Sequence, residues 1–373
     1  MPIDPGRLAA LADRARVEVE EGVVPSCQLA VGYAGQVVAF DVFGQAGSDT
    51  RYNVFSCTKP LVASAAWVLM GEGLIDVERP VAHYLPGFEA NGKAALTVDH
   101  LLLHTAGLAA ATLLPPDWDT PASRRAAFAA WPVAHEPGTA YQYHPTSAHW
   151  VLAEVVAAAA GADFWDFLQH RVTGPAGLPG RVLGAPEADQ GGVAELVATG
   201  EPATADELQA AIGVRELPVT EVTEENLLAF NRADVRAVGI PGAGGVMRAC
   251  DLALFGQVLL HDPDGIWEPA VLADGVGTVR NRLGDPLFHM AANRTRGLIQ
   301  AGDDGLAFLR GFGSATSPRA VGHNGAGGQI SWADPATGLS FAYLTNGLDA
   351  HVIRQFRRGM ALSTLAAGLT GPA

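Results

Sequence analysis

The chain of 373 residues contains only two lysines, Lys59 and Lys93, against 22 arginines. Its three cysteines, Cys27, Cys57 and Cys250, are an odd number at wide spacing. That pattern excludes a disulfide framework and a cysteine-based zinc module. No uninterrupted apolar run approaches the roughly 18 residues a membrane-spanning helix needs. The stretch Val151–Ala160 contains Glu154 and reads as a buried helix. Basic charge is scarce overall: the net charge of −15 argues against a nucleic-acid backbone or an anionic membrane as partner. The opening Met1-Pro2-Ile3-Asp4-Pro5-Gly6-Arg7 is polar and has no apolar signal core, so the expected setting is cytoplasmic and reduced.

With 49% hydrophobic and 17% charged residues, the composition is that of a compact globular protein. The length fits two domains, or one with a large insertion. Leu8–Gly22 has the pattern of an amphipathic helix. Cys27–Tyr33 and Val37–Phe43 read as a hairpin about Ala34-Gly35-Gln36, and Gln329–Ala333 with Leu339–Leu344 as a second. A closing helix is expected over Val352–Ala367. The middle offers helices at Lys59–Glu72, Val98–His104, Ser123–Ala130, Ser147–Ala160 and Phe164–Val172, separated by Pro- and Gly-containing loops. Ala185–Thr220 is poor in aromatics and reads as a peripheral segment forming part of a substrate rim. The expected class is α/β (α+β): an antiparallel sheet built from both termini, flanked by helices.

The scarcity of lysine makes its placement informative. Arginine cannot be deprotonated in a protein, whereas a desolvated lysine can lose its proton and act as a base. Lys59 stands three residues after Ser56 in Phe55-Ser56-Cys57-Thr58-Lys59-Pro60. That spacing puts hydroxyl and amine on one helix face. Pro60 is tolerated only in the first helical turn, which puts Ser56 at or next to the N-cap, where free N–H groups favour a developing anion. The plainer alternative is a capping serine followed by a solvated lysine.

Three other segments carry polar chemistry. Tyr143-His144-Pro145 ends a loop before a helix; its tyrosine is either a packing residue or a proton relay, the latter if a nearby ammonium lowers its pKa. His323-Asn324-Gly325-Ala326-Gly327-Gly328 enters the last hairpin; its glycines allow close approach to a strand edge, leaving the Ala326 N–H to donate, and a bulged turn is the plainer account. His100 and His104 have the i, i+4 spacing of a zinc helix but lack the intervening glutamate and a third ligand, so they read as structural. Gly-x-Ser-x-Gly is absent, which counts against an α/β-hydrolase elbow.

Taken in order, Ser56-x-x-Lys59, Tyr143 and His323-x-Gly325 resemble the motifs of the class C β-lactamase and DD-peptidase superfamily, with the nearest likeness to the family VIII carboxylesterases. The segments Leu96–Leu108, Gly244-Gly245-Val246 with Asp251-Leu252-Ala253, and Asp334-Pro335 through Asn346 agree with it, so the resemblance spans nearly the whole chain. It implies a β-lactamase-like fold, with an α/β sheet domain over 1–75 and 240–373, a mainly helical domain over 76–239, and the active site between them. It further implies Ser56 as nucleophile, Lys59 and Tyr143 as acid–base pair, and the backbone N–H groups of Ser56 and Ala326 as oxyanion hole. Substrate contacts are expected from His323, Asn324, Gly325 and His144, and from an apolar lining of Trp118, Phe128, Trp131 and Trp150.

The departures steer the substrate. Pro145 replaces the asparagine of Tyr-x-Asn, and His323 replaces the lysine of Lys-Thr-Gly. A histidine is mostly neutral at pH 7 and attracts a carboxylate weakly. Lys59 is therefore expected to be the only cation in the site. The expected activity is that of a carboxylesterase (EC 3.1.1) acting on a small-molecule ester through an acyl-enzyme, with no metal and no cofactor. An amidase, an acyltransferase, a weak β-lactamase and a slowly acylated sensor use the same residues.

Overall fold

The computed structural model describes residues 3–216 and 222–371. Among them run ten strands: β1 (Ser26–Tyr33), β2 (Gln36–Gly44), β3 (Tyr52–Asn53), β4 (Val197–Thr199), β5 (Val246–Met247), β6 (Ile299–Gln300), β7 (Val321–Gly322), β8 (Ile330–Asp334), β9 (Leu339–Thr345) and β10 (Gly347–Asp349). Six form one antiparallel sheet in the order β2-β1-β9-β8-β7-β6. The first and last hairpins thus meet edge to edge, with Cys27 opposite Thr345 and Tyr33 opposite Leu339. The two-residue strands β6 and β7 carry no long apolar run and were not visible in the pattern.

Strand alternation sorts the central strands onto two faces. Cys27, Leu29 and Val31 of β1 join Phe341 and Tyr343 of β9 under the terminal helices Pro5–Glu20 and Val352–Ala367, where Leu11, Ala15, Leu362 and Ala366 are buried. The opposite face, with Ala30, Ala342 and Leu344, packs on the helix Ala249–His261. Contact there is close: a Cβ on Gly256 would meet Ser340 Cβ at 2.7 Å. The helix Lys59–Gly71 is apolar around its whole circumference and buried from Lys59 through Leu69, as expected of a central helix. Indole N–H donations from Trp67 to the Arg296 carbonyl and from Trp267 to the Ser64 carbonyl, each 2.9 Å, fix its position.

The expected closing helix and the Ser147–Ala160 helix have the bounds read from the sequence. The helix at Val98 ends at Leu102, because His104 adopts φ +57°. The expected Phe164–Val172 helix is α-helical only over Phe164–Leu168 and widens into a π turn over Gln169–Thr173. In the 185–220 stretch, β4 pairs in parallel with β10 and a helix spans Ala205–Ile212; residues 217–220 lie outside the described residues. No described helix is long and apolar enough to cross a membrane.

Candidate active site

Ser56 sits in a 3-10 turn, Phe55–Thr58, that runs directly into the Lys59–Gly71 helix. Phe55, just before it, has φ +45°, a left-handed conformation that costs a bulky residue about 1–3 kcal/mol. Surrounding contacts hold it there: Val54 N–H donates to the Gly245 carbonyl at 2.9 Å, and the Phe55 ring meets Phe230 edge-on at 5.2 Å.

Two groups converge on the Ser56 hydroxyl. Lys59 Nζ lies 3.0 Å from Oγ, and the Tyr143 hydroxyl donates to Oγ at 2.7 Å. Lys59 is wholly buried, and its amine also donates to the backbone carbonyls of Pro145 at 2.7 Å and Gly242 at 2.8 Å. The proline that displaces an asparagine side chain thus contributes a main-chain acceptor. Burial pushes the Tyr143 phenol well above its ordinary pKa, against the opposing pull of the Arg294 cation and the hydrogen bond to Ser56. Burial outweighs any lowering by neighbouring positive charge, so Tyr143 rests as a neutral phenol.

The 323–327 segment runs alongside the serine turn. Cys57 Sγ donates to the His323 carbonyl at 3.1 Å, and a Cβ on Gly325 would sit 2.3 Å from the Val54 carbonyl oxygen. Only glycine allows this approach, which brings the segment against the backbone that leads into Ser56. His323 Nδ1 donates to the Asn324 carbonyl at 2.8 Å, which leaves Nε2 as an acceptor. Burial, with the Arg294 and Lys59 charges, holds its pKa well below the ordinary value.

The acceptor role of Nε2 is filled by a residue that sequence reasoning missed. Arg294 Nη1 donates to His323 Nε2 at 3.1 Å, while Nε and Nη2 donate to the Tyr141 hydroxyl at 3.2 and 2.9 Å. The guanidinium also lies 5.3 Å from the Tyr143 ring centre. Arg294 is 4% exposed and forms no ion pair with a carboxylate among the described residues. The expectation that Lys59 is the sole cation is therefore corrected. One arginine among 22 carries no distinguishing signal; a hairpin bridge from Asn281 to Arg294 delivers it.

Other expectations also change. His144 is fully buried, and its Nε2 accepts from the Leu108 N–H at 2.8 Å, so it braces the loop and does not face a substrate. Trp150 is 1% exposed and packs on Trp165, and Phe128 is likewise interior. Trp131 packs on Phe128, and Trp118 gives its carbonyl to Arg124. Phe128 and Trp150 are core residues, whereas Trp118 and Trp131 are partly buried at its edge. The Asn324 amide lies against Gly311. His104, in contrast, joins the site from behind: its ring lies 5.0 Å from Tyr143, and its Nδ1 accepts from the His144 N–H at 3.1 Å. No group of three or more His, Cys, Asp or Glu side chains among the described residues is arranged to hold a metal.

Comparison with known proteins agrees with this fold. The model of the β-lactamase family matches residues 11–365. The chain is 31% identical over 325 residues to the esterase/β-lactamase LipL of Mycobacterium tuberculosis, covering 81% of this chain and 70% of LipL. A penicillin-binding protein homologue from Caulobacter crescentus superposes with a TM-score of 0.77 at 25% identity, covering 98% of this chain and 99% of that one. A family VIII carboxylesterase does so at 0.76 and 26%, covering 97% and 98%. The likeness extends over nearly the whole length of the fold, and this chain belongs to the β-lactamase family.

Proposed function

We propose that the chain is a serine hydrolase that cleaves carboxylic esters through an acyl-enzyme on Ser56. The observation that carries this reading is the convergence of Lys59 Nζ and the Tyr143 hydroxyl on Ser56 Oγ, at 3.0 and 2.7 Å. In a neutral Lys59 amine, the Pro145 and Gly242 carbonyls engage the two N–H groups, and the lone pair faces Ser56. As Oγ attacks the ester carbonyl carbon, its proton passes to Lys59. The oxyanion that forms is held by the backbone N–H groups of Ser56 and Ala326, each worth about 3–4 kcal/mol. Tyr143 protonates the departing alkoxide, and the Lys59 ammonium restores the phenol. Water then attacks the acyl-enzyme with the same groups in reverse, and the pair titrates as a unit.

Ester substrates are favoured by Pro145 and His323, which remove the asparagine and lysine side chains that hold a β-lactam. They also fit the esterase descriptions of LipL and of the family VIII carboxylesterase. Arg294 supports a second reading, because a buried guanidinium without a carboxylate partner suits an acyl donor that carries one, as peptide C-termini and β-lactams do. Turnover of p-nitrophenyl esters by wild type, Ser56→Ala and Tyr143→Phe tests the first reading, and retained turnover in Ser56→Ala overturns it. Nitrocefin hydrolysis exceeding ester hydrolysis favours the second. Intact-mass measurement after exposure to an activated ester separates an enzyme, which shows a burst and then turnover, from a sensor that stays acylated.

A further inference from the structure

The helix Val98–Leu102 ends in a Schellman motif: the Thr105 N–H donates to the His100 carbonyl at 2.9 Å, and the His104 N–H to the Leu101 carbonyl at 3.4 Å. Such an ending sets a left-handed residue just beyond the helix, where glycine or asparagine is usual. His104 occupies that position at φ +57°. The chain has 44 glycines and still puts histidine here, at a cost of about 1–3 kcal/mol of backbone strain. A side chain held in that conformation by its surroundings points to a functional constraint.

His104 grips the amides on both sides of Tyr143. Its backbone carbonyl accepts from the Gln142 N–H at 3.1 Å, and its Nδ1 accepts from the His144 N–H at 3.1 Å. His144 returns the contact: its Nε2 accepts from the Leu108 N–H at 2.8 Å, which latches the 104–108 and 142–144 loops together. Both histidines are buried, and the His104 ring packs 5.0 Å from the Tyr143 ring, tilted by 34°. With Nδ1 as acceptor, the His104 imidazole is neutral and carries its proton on Nε2. The Tyr143 hydroxyl donates to Ser56 Oγ at 2.7 Å, and its direction follows from the backbone and ring that carry it.

We propose that His104 is a positioning residue for Tyr143, whose flanking amides it fixes so that the phenol stays on Ser56 Oγ. The proposal rests on the reading of Tyr143 as the acid that protonates the departing alkoxide. Misplacing a reacting group by about 1 Å costs about 10²-fold in rate. The two histidines of the i, i+4 pair thus serve different ends. His100 caps the start of the helix, where its Nδ1 accepts from the Thr97 N–H at 3.1 Å, and His104 reaches from its end to the reactive site.

Values of kcat/KM for an ethyl ester and a p-nitrophenyl ester of the same acid test the proposal. Ethoxide needs a proton to leave and p-nitrophenolate does not, and kcat/KM reports the acylation step that the Tyr143 phenol assists. Tyr143→Phe should therefore lose turnover selectively on the ethyl ester. His104→Phe keeps the ring packing and removes the acceptor; it should lower kcat/KM about 10–100-fold on the ethyl ester and by no more than about threefold on the other. His104→Asn tolerates the left-handed backbone and offers Oδ1 in place of Nδ1, so it stays within a few-fold of wild type on both. If His104→Phe fails to fold, His104→Gly is read in its place with the same expectation. Equal losses on both esters, or none, overturn the positioning role alone when Tyr143→Phe remains selective. Equal losses on both esters in Tyr143→Phe as well overturn the reading of Tyr143, and the proposal with it. A loss in His104→Asn as large as in His104→Phe overturns the proposal too, because the acceptor is then not what matters.

Discussion

Arg294 donates through Nη1 to Nε2 of His323 at 3.1 Å, and this contact fixes the imidazole as a neutral acceptor 5.8 Å from the Tyr143 ring. The site therefore holds a second cation, delivered by a hairpin and not by the last strand. Replacing Arg294 with Gln is expected to lower kcat/KM about 10–100-fold for esters bearing a carboxylate in the leaving group, the worth of one charge-assisted contact. Neutral isosteres should change far less. Paired kinetics on the two esters measure the difference, and equal losses on both would remove Arg294 from substrate recognition.

The two lysines are expected to part company on mutation. Lys93 is as buried as Lys59, but its amine donates to the carbonyls of Ala129 and Trp131 at the end of the Pro121–Ala130 helix. Lys93→Ala should cost about 1–3 kcal/mol of stability by leaving those carbonyls unpaired, with kcat within a few-fold of wild type. Lys59→Arg keeps the hydrogen-bond donors but cannot accept a proton, and turnover should fall by about 10²–10⁴. Denaturant melts and ester kinetics on both variants decide the matter.

Gly325→Ala places a methyl group 2.3 Å from the Val54 carbonyl oxygen. The backbone must separate there, and the N–H of Ala326, proposed above as an oxyanion donor, shifts with it. Loss of one oxyanion donor corresponds to about 10²–10³ in kcat. A fall in kcat with little change in KM, in a variant that still folds, is the expected result.

Acid should destabilise the fold steeply. Burial holds His104, His149 and His323 well below the ordinary histidine pKa and pushes His144 down to about 3. The unfolded chain therefore takes up these protons first, near pH 6.5. Each histidine contributes stability that is complete above that value and is lost as pH falls toward its folded pKa. The slope is about 1.4 kcal/mol per pH unit per group, so four give about 5.5. Tm should be flat with respect to these groups from pH 7.5 to 8.5 and drop sharply below about pH 6. His144→Gln should flatten the drop by about a quarter; an unchanged slope would exclude His144 as a contributor.

The parts legible in the sequence are those set by local chemistry. Pro60 and the Ser56–Lys59 spacing put a hydroxyl and an amine on one turn, and the alternation in the two terminal hairpins specified the strands that meet at the middle of the sheet. The phenol of Tyr143, the one long-range partner anticipated for that pair, was placed through the order of the motifs along the chain, and the structure sets it 2.7 Å from Ser56. The tertiary structure alone decided which cation stands by His323, which aromatics became core, and which way the Tyr143 pKa moves. The physical reason is common to all three. A guanidinium from residue 294, a tryptophan from a helix interior and a phenol cut off from water owe their roles to what surrounds them in space, and burial depends on residues far away in the chain. The scarcity of lysine shows the same division: composition singled out two positions, and only packing distinguished an amine that faces a serine from one that closes a helix.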